Sequence, residues 1–135
     1  MTTRIKLSKE ISIKLDYLSR KLILRRNIIC RIAIGRSLVD RKSVKNYTHL
    51  DSQGYELNRI TIIGRHADLF RALINQHERE RIGDFEYFSK YVRNHIARGV
   101  SLLHEEYERV NSPTEFLLGL IDFDIREENK QVDLF

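Results

Sequence analysis

The first 27 residues hold eight Lys or Arg side chains and Asn27, and seven of these nine are the candidates for holding an anionic polymer: Arg4, Lys6, Lys14, Lys21, Arg25, Arg26 and Asn27. Guanidinium and ammonium groups bind phosphate oxygens, and an asparagine amide adds a short-range donor. They belong to a lopsided charge distribution. Residues 1–47 carry 13 basic and 3 acidic side chains, a net of +10, whereas residues 48–135 carry 11 basic and 16 acidic, a net of −5. The formal +5 of the whole chain therefore averages a basic head and an acidic body. Such asymmetry points to nucleic acid or another polyanion. A lysine on a helix flank is also the ordinary way to solvate a surface, so no single residue decides the matter. The sum of the charges and their order along the chain favour nucleic acid.

The remaining reactive side chains form no comparable grouping along the sequence. There is no CxxC, no P-loop, no GxGxxG, and no histidine pair at metal-ligand spacing beside a carboxylate. The expectation is a protein without catalytic residues, metal or cofactor. Cys30 is the only cysteine and lies in an apolar stretch. It reads as a buried core thiol, cannot form an internal disulfide, and fits a reducing cytoplasm. His66, His77, His95 and His104 fall on expected helices, and His95 reads as a hydrogen-bonded structural histidine. Glu105, Glu106 and Glu108 read as a solvated charged run. Tyr17 and Tyr47 are too few to make a base-stacking platform.

These groups need elements to position them. With 41% apolar and 32% charged residues, one proline and six glycines, the 135-residue chain reads as one globular, mainly α domain. No apolar run is long enough to span a membrane, and MTTRIKLSKEI lacks the apolar core of a signal peptide. Residues 4–7 alternate as a short strand does, with Ile5 and Leu7 on one side and Arg4 and Lys6 on the other. Ser8 is placed to cap a helix whose stripe is Ile11, Leu15, Leu18 and Leu22. Lys14 and Lys21 flank that stripe, and Ile13 points away from it. A second helix starts near Asn27 and is apolar nearly all round, so it asks for burial on several faces, against a second copy of the chain or another layer of the domain.

Residues 1–40 thus form a basic strand-helix-helix unit and 41–60 read as a loop, with Tyr55, Leu57 and Ile60 able to form a short extended piece. A helical body follows over 61–121. Its first helix runs from Thr61 towards Gly83, with Ile63, Ala67, Phe70, Leu73 and Ile74 on one face. Asp84 then caps a longer helix carrying Phe85, Phe88, Val92, Ile96, Val100 and Leu103. Ser112-Pro113-Thr114-Glu115 starts a last helix, and 122–135 form an acidic tail. Strand, helix, helix is the order of a ribbon-helix-helix unit. There the strands of two copies pair, the outward strand residues (here Arg4 and Lys6) enter the DNA major groove, and the start of the second helix (here Arg25, Arg26 and Asn27) meets a phosphate.

Four stretches, in order, carry a resemblance. They are RIKLSKEISIKLDYLSRKL at 4–22, NIICRIAIGRSL at 27–38, DSQGYELNRITIIGRHADLFRALINQ at 51–76 and HIARGVSLL at 95–103. The chain resembles the DndE family of the bacterial DNA phosphorothioation machinery over about residues 4–103, and departs from it after about residue 104. The resemblance implies a mostly helical variant of the ribbon-helix-helix fold, assembled as a homotetramer. It implies binding of double-stranded, preferably nicked, DNA through surface lysines, beside sulfurtransferase-like and ATPase subunits. By position, Lys14 and Lys21 are the first candidates for the DNA-facing surface, then Arg25 and Arg26. Two other readings stand beside this one. They are a ribbon-helix-helix repressor reading an operator, and an assembly adaptor docking an acidic protein.

Overall fold

The computed structural model describes residues 4–47 and 51–121, so the expected acidic tail lies outside the described residues. Strand β1 is Arg4–Lys6, with Ile5 buried and Arg4 and Lys6 exposed, as the alternation requires. Its partner is β2, Glu56–Asn58, of the same chain. The two run antiparallel, with Arg4 opposite Asn58, Ile5 opposite Leu57 and Lys6 opposite Glu56. The ribbon expected to form between two copies is therefore closed within one.

The cause lies in the stretch expected to be a loop. The Leu7 N–H donates to Tyr55 O and the Gly54 N–H to Leu7 O, both at 2.9 Å, and so extend the ladder beyond β1. Only glycine permits this approach, because a Cβ on Gly54 would stand 2.2 Å from Ser8 O. Residues 41–60 thus include β2 and the start of the next helix.

Helix α1, Lys9–Leu22, begins at Ser8, whose hydroxyl accepts the Ile11 N–H at 3.2 Å. The Asp51 carboxylate accepts the Lys9 N–H at 3.0 Å, so two acceptors satisfy donors that the first turn leaves free. Ile11, Leu15, Leu18 and Leu22 are buried, and Ile13 is exposed. The helix ends in a left-handed residue, Ile23, at φ 56°. That conformation is unusual for a β-branched side chain and costs on the order of 1–2 kcal/mol.

Helix α2, Arg26–Val39, packs against α1, α3 (Arg59–Ile63) and α4 (Ala67–Glu78). Ile29, Cys30, Ala33, Ile34 and Ser37 are buried. Burial pushes the Cys30 thiol up to about 12, against the opposing pull of Arg26 and Arg31, so the core-thiol expectation holds.

The single helix expected from Thr61 is broken. Gly64, at φ 65°, separates α3 from α4 through a 3-10 turn over Gly64–His66. Helix α4 stops at Glu78, with Arg79 in the left-handed region, rather than near Gly83. Of its expected apolar face only Ile63 and Ile74 are buried.

Next come α5 (Asp84–Glu86), a π-helical turn (Tyr87–Val92) and α6 (Arg93–Val110). Gly83, not Asp84, occupies the capping position; Asp84 instead pairs with Arg71 at 2.6 Å. Val92, Ile96, Val100 and Leu103 are buried as the stripe requires, whereas Phe85 is 82% exposed. The π turn accounts for the failure. It inserts a residue, rotates everything before it by about 100°, and turns Tyr87 and Tyr91 inward instead.

The described residues divide into two compact units, one ending at His104 and the other beginning at Glu105. In the second, Ser112 caps helix α7 (113–121) as expected, its hydroxyl accepting the Glu115 N–H at 3.3 Å. The Phe116 ring lies edge-on to Tyr107 at 5.7 Å. Among the described residues no helix is long and apolar enough to cross a membrane.

Helices α2 and α6 meet backbone to backbone. A Cβ on Gly99 would lie 1.8 Å from Ala33 O, whereas a Cβ on Gly35, in the same α2, meets nothing within 4 Å. The same substitution therefore has opposite signs. Gly99→Ala is expected to destabilise the protein by about 1–3 kcal/mol, and Gly35→Ala to stabilise it by about 0.5–1 kcal/mol. Chemical denaturation midpoints measure both, and a neutral Gly99→Ala would contradict the close helix contact.

Candidate nucleic-acid interface

The left-handed turn at Ile23 swings the chain from α1 into α2 and places Arg25, Arg26 and Asn27 at one side of an open cleft. Glu56, Leu57 and Asn58 of β2, with Thr61 and Ile62 of α3, complete its lining around about 410 Å³. Helix α2 opens on this cleft without a side-chain cap, and its first turn contains no acidic residue. The free N–H groups and the helix dipole make such an end electropositive and suited to an anion.

The sequence-derived candidates divide into groups with different freedom. Arg25 is exposed and occupies the capping position of α2. Asn27 is half-buried in the cleft wall. Arg26 is held in place: its Nε donates to Asp16 Oδ1 at 3.2 Å, its Nη2 to Tyr55 Oη at 3.2 Å, and its guanidinium stacks 4.1 Å from the Tyr55 ring centre. Tyr55 in turn donates to Asp16 Oδ2 at 3.0 Å. Arg26 is thus already balanced by a carboxylate and shapes the cleft more than it charges it.

Arg4 and Lys6 both face Glu56, at 3.7 and 4.0 Å. Their side chains remain about half exposed or more, and such exposed pairs contribute little energy. Lys14 is largely covered and paired with Glu10 at 3.1 Å. Lys21 is exposed, 5.6 Å from the Tyr17 ring centre. The structure therefore gathers Arg25, Arg26 and Asn27 at the cleft and joins Arg4 and Lys6 to its rim through Glu56. Lys14 and Lys21 do not line it.

Asp16, Tyr55, Glu56 and Asn58 are cleft or clamp residues that sequence reasoning did not single out. Asn58 had a local signal, since it caps α3 by accepting the Ile60 N–H at 2.9 Å. Asp16 and Tyr55 meet across 39 residues and had none.

A second cluster, without a signal in the spacing along the sequence, brings two histidines beside a carboxylate. His77 and Glu78, in the last turn of α4, meet His95 of α6. Glu78 Oε1 lies 3.2 Å from His77 Nδ1 and 3.5 Å from His95 Nε2. Burial opposes ionisation of Glu78, but the Ser43 hydroxyl, the Val44 N–H and His77 outweigh it and hold the carboxyl below its ordinary value. Burial, with His77 and Arg98 nearby, pushes His95 down to about 4. His95 Nδ1 lies 2.8 Å from the Ser37 hydroxyl, as expected of a hydrogen-bonded structural histidine.

These features define a class: a small, mainly helical protein on an intramolecular two-stranded ribbon, with an open cleft at an uncapped helix start in a basic N-terminal unit. The sequence profile of the family described as DNA sulphur modification protein DndE matches residues 4–111, and the chain belongs to the DndE family. The structure is similar to that of DndE from Escherichia coli B7A, which is involved in DNA phosphorothioation modification. The TM-score is 0.63 at 19% identity, covering 76% of this chain and 97% of that one. It is similar also to a glycine-to-lysine DndE mutant involved in DNA phosphorothioation (TM-score 0.60, 21% identity, 76% and 97% covered). No curated protein matches the sequence.

The Arg26 clamp is directly measurable. Tyr55→Phe removes a hydroxyl that both donates and accepts, and is expected to cost about 1 kcal/mol of stability. In a double-mutant cycle with Asp16→Ala the two losses should fall short of additive, because both dismantle one network. Strict additivity would mean that the clamp does not act as a unit.

Proposed function

We propose that this chain is a non-enzymatic DNA-binding subunit of the bacterial phosphorothioation machinery. It acts in the cytoplasm as a homotetramer, on double-stranded and preferentially nicked DNA, beside sulfurtransferase-like and ATPase subunits. The observation that carries the reading is the start of α2: uncapped, free of acidic side chains in its first turn and flanked by the exposed Arg25. It lies in a head of net charge +10, in a member of the DndE family. Backbone N–H groups and guanidinium ions recognise phosphate oxygens but not base sequence. That suits a protein that attends to the DNA backbone, the part of DNA that phosphorothioation alters.

Within this reading the exposed Arg25 and Lys21 supply charge, Asn27 and the α2 N–H groups supply short hydrogen bonds, and Arg26 fixes the cleft wall. Arg4 and Lys6 add to the field at the rim rather than entering a groove, because β1 is paired inside its own chain. That pairing takes away the two-copy ribbon on which the operator-reading alternative rested.

Binding of a nicked duplex should depend steeply on salt. Three phosphate contacts give about a 40-fold loss of affinity between 50 and 200 mM salt. Gel-shift titrations measure it, and an affinity that hardly changes would remove phosphate contacts as its basis. Lys21→Glu combined with Arg25→Glu should weaken binding about tenfold or more and flatten the salt slope, with the melting temperature unchanged. Unaltered binding by that variant would take the α1–α2 corner out of the interface.

A further inference from the structure

We propose that His77, Glu78 and His95 bind one divalent transition-metal ion of the zinc class. Their three ligand atoms lie within 4.8 Å of one another. The two separations from Glu78 Oε1, 3.2 and 3.5 Å, are close to the roughly 3.3 Å between neighbouring ligands of a tetrahedral ion with bonds of about 2.0–2.1 Å.

Proton placement supports the site independently. His77 Nε2 lies 2.6 Å from Asp40 O, and a carbonyl can only accept, so Nε2 carries the proton. Nδ1 then faces the Glu78 carboxylate at 3.2 Å, a contact that needs either a second ring proton or a cation between the two atoms. His95 Nε2 is fully buried, has no hydrogen-bond partner and is aimed at the same carboxylate oxygen. A second proton on His77 would relieve the first contact, but a proton on His95 Nε2 would reach the same oxygen only at 3.5 Å, longer than a good N–H···O hydrogen bond. One metal ion satisfies all three atoms.

The outer contacts agree. Metal-bound histidines hold their other ring nitrogen on a carbonyl, hydroxyl or carboxylate that sets the tautomer. Here Asp40 O holds His77, and the Ser37 hydroxyl, itself fixed by Arg98 Nε at 2.8 Å, holds His95. The Ser43 hydroxyl holds the second oxygen of Glu78. Two imidazoles and a carboxylate suit zinc, cobalt or nickel better than the harder calcium or magnesium. The ion would fasten the end of α4 to α6. This site is separate from the cleft and does not depend on the DNA reading.

The test uses the full chain, stripped with chelator and titrated with Co2+ as the optical probe. One equivalent per chain should bind, with the visible absorption of a four- or five-coordinate nitrogen–oxygen site, and Zn2+ should displace it and raise the melting temperature. Losing a supporting contact alone weakens metal sites 10–100-fold, so His77→Ala and Glu78→Gln should each lower affinity by about 100-fold or more. Glu78→Gln nearly preserves side-chain volume, so a retained cooperative melt with lost Co2+ absorption identifies a missing ligand rather than a misfolded chain. No stoichiometric uptake by the unaltered protein, or absorption bands that survive in both variants, would overturn the proposal.

Discussion

A guanidinium taken out of water must find acceptors for its N–H groups, and the way Arg98 does so holds much of the N-terminal unit in place. It is buried on α6 and donates to the Ser37 hydroxyl and Ser37 O at 2.8 Å, to Lys42 O at 2.5 Å and to Asp40 O at 3.3 Å. Those acceptors are the last turn of α2 and the segment leaving it, where carbonyls have no partner within the helix and a cation is favoured. One side chain therefore caps α2, orders residues 40–42 and orients Ser37 towards His95. The backbone contact at Gly99, one residue along α6, then allows the two helices to close.

With its C-terminal end fixed, α2 presents its opposite end to solvent. The contrast between the ends is a division of labour written in the residues. The C-terminal carbonyls are satisfied by a buried arginine, while the N-terminal amides are left without a side-chain cap. A helix that is saturated at both ends offers nothing to a ligand; this one keeps its electropositive end available beside Arg25. The Asp16–Tyr55–Arg26 clamp ties that end to α1 and to the residue preceding β2, so the cleft is built on regular elements rather than on a loose loop.

Periodic burial was readable wherever one face of an element meets the core. The stripe Ile11, Leu15, Leu18 and Leu22, the cap at Ser8 and the start at Ser112 are all local patterns, and all are present. What was not readable depends on contacts distant in sequence or on departures from the 3.6-residue repeat. The π turn at Tyr87–Val92 has no sequence signature and displaces Phe85. The partner of β1 lies some 50 residues away in a stretch rich in turn formers. Of the candidate site, Arg25, Arg26 and Asn27 were legible because they interrupt the apolar pattern between two helices and carry polar or charged groups. Their clamp was not, and neither was the meeting of His77 and Glu78 with His95, which needs α4 and α6 in place.

The central claim is that DNA is held at the start of α2. Amide hydrogen exchange of the full chain, with and without saturating nicked duplex at low salt, tests it residue by residue. The expected result is slowed exchange concentrated in residues 21–29 and 56–62, the α1–α2 corner and the β2–α3 side of the cleft. Protection absent from those residues, while the DNA is demonstrably bound, would contradict the account.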